Sequence, residues 1–120
     1  MIQFYGYKKC GTCRKAEAFL MENGLEFEFI DVTQSPPSRE ELQQMVLQAG
    51  LPLKKFFNTS GLQYRALNMK QKLASASDED MLGYLSNEGR LVKRPILTDG
   101  QLTTIGGKQV DLDVWSRQNK

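Results

Sequence analysis

A short strand pattern that runs into a cysteine pair and then a helix pattern constrains the fold of this chain more than any other feature. Residues 1–6 are aromatic and aliphatic and end in glycine, which is typical of a short buried strand. Cys10 and Cys13 follow, and apolar residues at helical spacing continue over residues 14–23. A second β-rich run covers residues 27–31. The opening therefore predicts a strand, a helix and a strand, with the cysteines at the first strand-to-helix turn.

The rest of the chain is predicted to be helical and then to return to strands. Ser38 begins a capping-box pattern whose helix ends at Gly50, and Ser77 begins a second such helix. Short helical pieces lie between these helices, over residues 51–73. A hairpin around Asp99-Gly100 and a final helix that carries Trp115 complete the order. The order βαβ, helices, ββα predicts an α/β chain with a thioredoxin-like framework and a helical insertion, in one domain over residues 1–120.

Composition removes several classes of function. The 16 basic and 14 acidic residues are scattered along the chain, so there is no basic stripe and direct nucleic-acid binding is not expected. The absence of histidine excludes Cys-His and Ser-His-Asp catalysis. No apolar run approaches the ~20 residues of a membrane span, and no secretion signal is apparent, so we expect a cytoplasmic protein with no membrane partner. No nucleotide-binding fingerprint is present, so no cofactor is expected.

The spacing of Cys10 and Cys13 predicts a redox-active pair. Three residues apart at a helix start, their Cα atoms lie about 5–6 Å apart, which a disulfide accepts. Unpaired N–H groups at the helix N-terminus stabilise a thiolate, and cations are close in sequence. Cys10, just before the helix, is the expected nucleophile, and Cys13 is placed to resolve a mixed disulfide. The nearby cations are Lys8, Lys9, Arg14 and Lys15.

Three other interpretations of the cysteine pair stay open at this point. A structural disulfide would close a very short loop in a reducing compartment, and it would contribute only about 2 kcal/mol. A structural zinc site needs four ligands, whereas the chain has two cysteines and no histidine. A pair of inert buried thiols is the third alternative, and the flanking cations, which must reach solvent, argue against it.

The run from Tyr7 to Ala16, with the later Arg94-Pro95-Ile96-Leu97, resembles the arsenate reductase (ArsC)-like family, which includes the Spx-type redox regulators. The resemblance extends over nearly the whole chain. It implies a catalytic Cys10 and an Arg94 that faces it beside a cis Pro95, with substrate contacts from Gly11, Thr12, Arg94 and Pro95. Physical chemistry supports this role for Arg94, because a guanidinium is always charged and binds oxyanions in a forked geometry.

Two departures from the family pattern bear on activity. Glutaredoxin-coupled members surround an oxyanion with three arginines, whereas this chain has Asn58 and Lys108 at two of the corresponding positions and keeps only Arg94. The second cysteine, Cys13, makes the motif more similar to the redox-switch members. The leading hypothesis is a thiol–disulfide oxidoreductase acting on arsenate or a small disulfide, with glutaredoxin, thioredoxin or a low-molecular-weight thiol as reductant. The alternative is a redox-sensing regulator that binds RNA polymerase.

Overall fold

Four strands form one mixed sheet at the centre of the protein. The structure, a computed structural model, describes residues 1–118. The strands are β1 (Ile2–Gly6), β2 (Phe27–Asp31), β3 (Ile96–Thr98) and β4 (Thr103–Ile105). Their order in the sheet is β2-β1-β3-β4, with β2 parallel to β1 and the other two pairs antiparallel. β1 lies between β2 and β3. The loop that follows the C-terminal end of β1 therefore places the cysteines at an interior position along one end of the sheet.

Six α-helices within residues 1–118 accompany the sheet. They are α1 (Gly11–Glu22), α2 (Arg39–Ala49), α3 (Leu62–Ala66), α4 (Met69–Ala74), α5 (Asp78–Asn87) and α6 (Gln109–Gln118). Two 3₁₀ turns lie at Leu53–Phe56 and Gly89–Leu91. The observed order is the predicted one, and the helical insertion lies between β2 and β3. Among residues 1–118, no helix is long and apolar enough to cross a membrane.

The sheet buries apolar side chains on both faces. On one face, Phe4 and Leu97 pack with side chains of α1 and with Trp115 of α6. On the other face, Tyr5 and Ile96 pack against the helical insertion. Neighbouring residues of one strand therefore belong to different cores, as the alternation of side chains along a strand requires. Trp115 also donates from Nε1 to Thr104 Oγ1 at 2.8 Å, which ties α6 to β4.

Local signals fix several element ends as predicted. Ser38 and Ser77 each accept a hydrogen bond from the third residue of the following helix and complete a capping box. Gly50 ends α2 in the left-handed conformation that favours glycine. The hairpin between β3 and β4 is confirmed, and its loop is organised by Asp99, whose side chain accepts from the N–H groups of Gln101 and Leu102.

Candidate active site

Cys10 and Cys13 lie at the start of α1, directly after the short loop that follows β1. Cys10 is the N-cap of the helix, and its sulfur accepts a hydrogen bond from the Cys13 N–H at 3.4 Å. The Cys10 side chain is partly exposed, whereas that of Cys13 is fully buried. The predicted division into an accessible and a covered thiol is therefore present.

The environment of Cys10 favours its thiolate. Partial burial favours the neutral thiol, but it is outweighed by hydrogen bonds from the backbone and thiol of Cys13 and from the Thr12 N–H. The positive charge of Arg94 acts in the same direction as these hydrogen bonds. Together they lower the pKa of Cys10 below its ordinary value. A lowered pKa increases the fraction of Cys10 present as the thiolate, which is the nucleophilic form of a cysteine.

Cys13 has the opposite environment. Burial raises the pKa of Cys13 to about 12. A hydrogen bond from the Tyr7 backbone opposes this rise, whereas the interaction with Cys10 adds to it. Gly6 packs closely against this thiol, because a Cβ atom there would lie 3.2 Å from Cys13 Sγ. Cys13 is therefore held as a neutral thiol beneath Cys10.

A cleft of about 970 Å³ opens over Cys10. Arg94 lines it, beside the cis peptide bond to Pro95, and the Arg94 guanidinium carbon lies 5.1 Å from the centroid of the Tyr7 ring. Gly11 and Thr12 also line the cleft, whereas Pro95 is buried and is not among its lining residues. Three of the four residues expected to contact substrate thus share the cleft with Cys10.

The positive charge around the cysteines comes mainly from residues other than those adjacent in sequence. Of the four flanking cations, only Lys15 lines the cleft. Lys8 pairs with Glu17 at 3.2 Å and lies over the Phe29 ring. Arg14 donates from Nε to the Lys8 carbonyl at 3.0 Å. Lys8 and Arg14 thus have partners outside the cysteine pair, and the charge that lowers the Cys10 pKa is that of Arg94.

Residues from distant segments complete the cleft. Asn58 and Lys108, at the positions where arginines are expected, both line it, and so do Lys55 and Lys93, which the sequence patterns did not single out. Gly107 brings Lys108 close to the cysteine loop, because a Cβ atom at Gly107 would collide with the side chain of Thr12. The positions that depart from the arginine pattern are thus in the site, with other side chains.

The unequal environments predict unequal alkylation. With limiting iodoacetamide on the native protein, we expect modification of Cys10 to increase at lower pH than that of Cys13, whose burial and raised pKa suppress its reaction. Peptide mapping by mass spectrometry after a pH series measures both sites in one sample. In denaturant the two cysteines should react alike. Earlier modification of Cys13 in the folded protein would reverse the assigned roles.

A cysteine pair at the first helix, a cis-proline before β3 and a mixed sheet between two helical layers define a protein of the thioredoxin-like class. The model of the ArsC family matches residues 5–113. The chain belongs to the ArsC family.

Relatives of known sequence and structure agree with this assignment. The uncharacterized protein YusI of Bacillus subtilis is 50% identical over 108 residues, which cover 90% of this chain and 92% of that protein. The crystal structure of an ArsC-family-related protein from Bacteroides fragilis is 35% identical, has a TM-score of 0.89, and is matched over 97% of this chain and 95% of that one.

The more distant relatives include proteins named as an enzyme and proteins named as transcriptional regulators. An arsenate reductase of Rhizobium meliloti is 29% identical, with 80% of this chain and 67% of that protein covered. The global transcriptional regulator Spx of Enterococcus faecalis is 26% identical, with 88% of this chain and 79% of that protein covered. Family membership alone therefore leaves an enzyme and a regulator as candidates.

Proposed function

We propose that this protein is a thiol–disulfide oxidoreductase in which Cys10 is the nucleophile and Cys13 the resolving thiol. The observation that carries the proposal is the contrast between the two thiols, one partly exposed with a lowered pKa and the other neutral and buried within hydrogen-bond reach of it. A thiolate with access to solvent attacks a disulfide, and a protected neighbour three residues later releases the product.

The proposed cycle balances in three steps. The Cys10 thiolate attacks one sulfur of a disulfide RSSR, which breaks its S–S bond, forms a mixed disulfide and releases one RS⁻. Cys13 loses its proton and attacks the Cys10 sulfur, which forms the Cys10–Cys13 disulfide and releases the second thiolate. Two equivalents of an external thiol then reduce the protein disulfide and become a disulfide themselves. Glutaredoxin, thioredoxin or a low-molecular-weight thiol of the cytoplasm would supply this reductant.

The polar side chains of the cleft favour a disulfide over arsenate as substrate. Among the described side chains that line the cleft, Arg94 is the one arginine, and Asn58 and Lys108 occupy the other two positions. Bidentate binding of a tetrahedral oxyanion depends on guanidinium forks, which neither an amide nor an ammonium group reproduces. Attack on a disulfide requires only the thiolate and access to it.

A turnover assay tests the proposal. With hydroxyethyl disulfide as substrate and glutathione, thioredoxin or glutaredoxin as reductant, we expect repeated turnover by the wild-type protein and only background with Cys10→Ser. Cys13→Ser should instead accumulate a mixed disulfide on Cys10, visible by intact mass. Arsenate in a parallel assay should be reduced slowly or not at all. Absence of disulfide turnover with every reductant would contradict the proposal.

A redox regulator is the second candidate, and the similarity to Spx along most of the chain favours it. In that case the Cys10–Cys13 disulfide would be a switch and the partner would be RNA polymerase. Affinity purification with the reduced and the diamide-oxidised protein distinguishes the two. Redox-dependent capture of polymerase without disulfide turnover would select the regulator.

A further inference from the structure

The cleft over Cys10 concentrates positive charge. Within residues 1–116, five basic side chains line it, but only one acidic side chain does, namely that of Asp111. The five cations are Lys15, Lys55, Lys93, Arg94 and Lys108. Since the whole chain has a net charge of only +2, this local excess is a property of the cleft and not of the protein as a whole.

Within residues 1–116, none of these cations forms an ion pair with a carboxylate of the protein. The ion pairs of this part of the chain join Lys8 to Glu17, Arg39 to Glu79 and Arg90 to Glu88, and Asp111 is the one acidic residue of the described side chains that lines the cleft. Uncompensated charge that surrounds a cleft raises the local concentration of anions and speeds their association. The cleft is therefore suited to an anionic ligand.

Lys55 and Lys93 form one structural unit within the cleft. The Lys93 N–H donates to the Phe56 carbonyl at 2.7 Å, and the next backbone positions, Phe57 and Val92, form an antiparallel bridge. Phe56, Phe57 and Val92 are buried, so the backbone beneath both lysines is anchored in the core. Both lysine side chains remain exposed, and both line the cleft that contains Cys10.

We propose that Lys55 and Lys93 form a carboxylate subsite, and that the substrate is a low-molecular-weight disulfide with carboxylate groups on its thiol halves. This inference rests on the proposed function. Cys10 attacks one sulfur of the substrate, the substrate S–S bond breaks, and the departing thiolate with its carboxylate remains close to the lysines. The cleft volume of about 970 Å³ fits a small organic ligand, whereas a lone tetrahedral oxyanion fills little of it.

Three disulfides of different charge test the inference on the reduced wild-type protein. Dithiodipropionate carries carboxylates, hydroxyethyl disulfide is neutral and cystamine carries ammonium groups. Each rate of protein oxidation, followed by acid quench and intact mass, is divided by the rate of the same disulfide with 2-mercaptoethanol, which removes differences in intrinsic reactivity. We expect the anionic disulfide to react roughly tenfold faster than the cationic one at low salt, and added salt to shrink the ratio.

Matched double variants locate the effect. Lys55→Gln/Lys93→Gln should lower the ratio of the normalised dithiodipropionate rate to the normalised hydroxyethyl disulfide rate roughly fivefold, as expected for two solvent-exposed charge pairs. Lys70→Gln/Lys72→Gln removes the same charge from α4, away from the cleft, and should have little effect. All four lysines are exposed, so neither variant should impair folding.

The outcomes separate the two claims. Reaction with hydroxyethyl disulfide but no charge preference would overturn the inference and leave the proposed function intact. No reaction with any of the three disulfides would overturn the proposed function itself. An equal fall in the preference for dithiodipropionate in Lys70→Gln/Lys72→Gln would overturn the assignment of the subsite to Lys55 and Lys93.

Discussion

Replacing Gly6 by alanine is expected to destabilise the protein by about 1–3 kcal/mol, which lowers Tm by roughly 4–12 °C. The added Cβ would lie 2.5 Å from Cε1 of Phe4 and 3.2 Å from Cys13 Sγ. Phe4 is fully buried and stacks on Phe29 with ring centroids 5.2 Å apart, so its ring has little room to move. Alanine also reduces the entropy of the unfolded chain, but that gain of about 0.4–1 kcal/mol is smaller than the overpacking cost.

Thermal melts of Gly6→Ala and of Gly11→Ala make the comparison. A Cβ at Gly11 meets nothing within 4 Å, so Gly11→Ala should melt within a few degrees of the wild type. Phe4→Leu shortens the side chain that the new methyl group meets. The fall in Tm of Gly6→Ala/Phe4→Leu should therefore be smaller than the sum of the falls in the two single variants. An unchanged Tm in Gly6→Ala would show that the close packing of Gly6 against Phe4 and Cys13 is not needed.

The parts of the structure that depend on neighbouring residues could be predicted from the sequence. The capping boxes at Ser38 and Ser77 and the left-handed end of α2 at Gly50 are each decided within about four residues. The place of Cys10 at the helix start follows from the same local logic. The resemblance to a known family then supplied the cis peptide bond before Pro95, which the residues alone do not indicate.

The composition of the cleft could not be predicted in this way. Lys55 and Lys93 meet only because the chain around Phe56 pairs with the chain around Val92, and no pattern within either segment announces that pairing. Sequence proximity was misleading in the opposite direction for Lys8 and Arg14, which lie near the cysteines in the chain but bind other groups. Charge near a site depends on tertiary contacts, whereas helix ends do not.

Replacing Arg94 by alanine is expected to raise the pKa of Cys10 and to slow its reaction with disulfides at neutral pH. Arg94 lines the cleft, and its charge is one of the influences that lower the Cys10 pKa. Removing that charge leaves partial burial, which favours the neutral thiol, opposed by hydrogen bonds alone. The thiolate fraction at neutral pH falls, and the rate of attack falls with it.

The titration of thiolate absorbance against pH measures this effect directly in the native sequence background. Cys13 has a pKa of about 12, so the Cys10 transition is well separated from it, and Cys13 need not be replaced. Keeping Cys13 matters, because its backbone and thiol both donate to the Cys10 sulfur. Arg14→Ala is the matched control, since it removes an arginine close in sequence that binds the Lys8 carbonyl, and it should leave the Cys10 titration unchanged.

Arg94→Lys separates the charge of Arg94 from its shape. Lysine keeps the positive charge, so the Cys10 titration and the rate with disulfides should stay close to wild type, while any binding of a tetrahedral oxyanion should be lost with the guanidinium fork. An arginine with only a structural role over the Tyr7 ring gives a different pattern. Both variants would then titrate like the wild type, and activity would fall only in proportion to the loss of folded protein seen in thermal melts. The Arg94 charge can stabilise the Cys10 thiolate only by lowering the Cys10 pKa. An unchanged Cys10 titration in a well-folded Arg94→Ala would therefore show that Arg94 does not act on the thiolate.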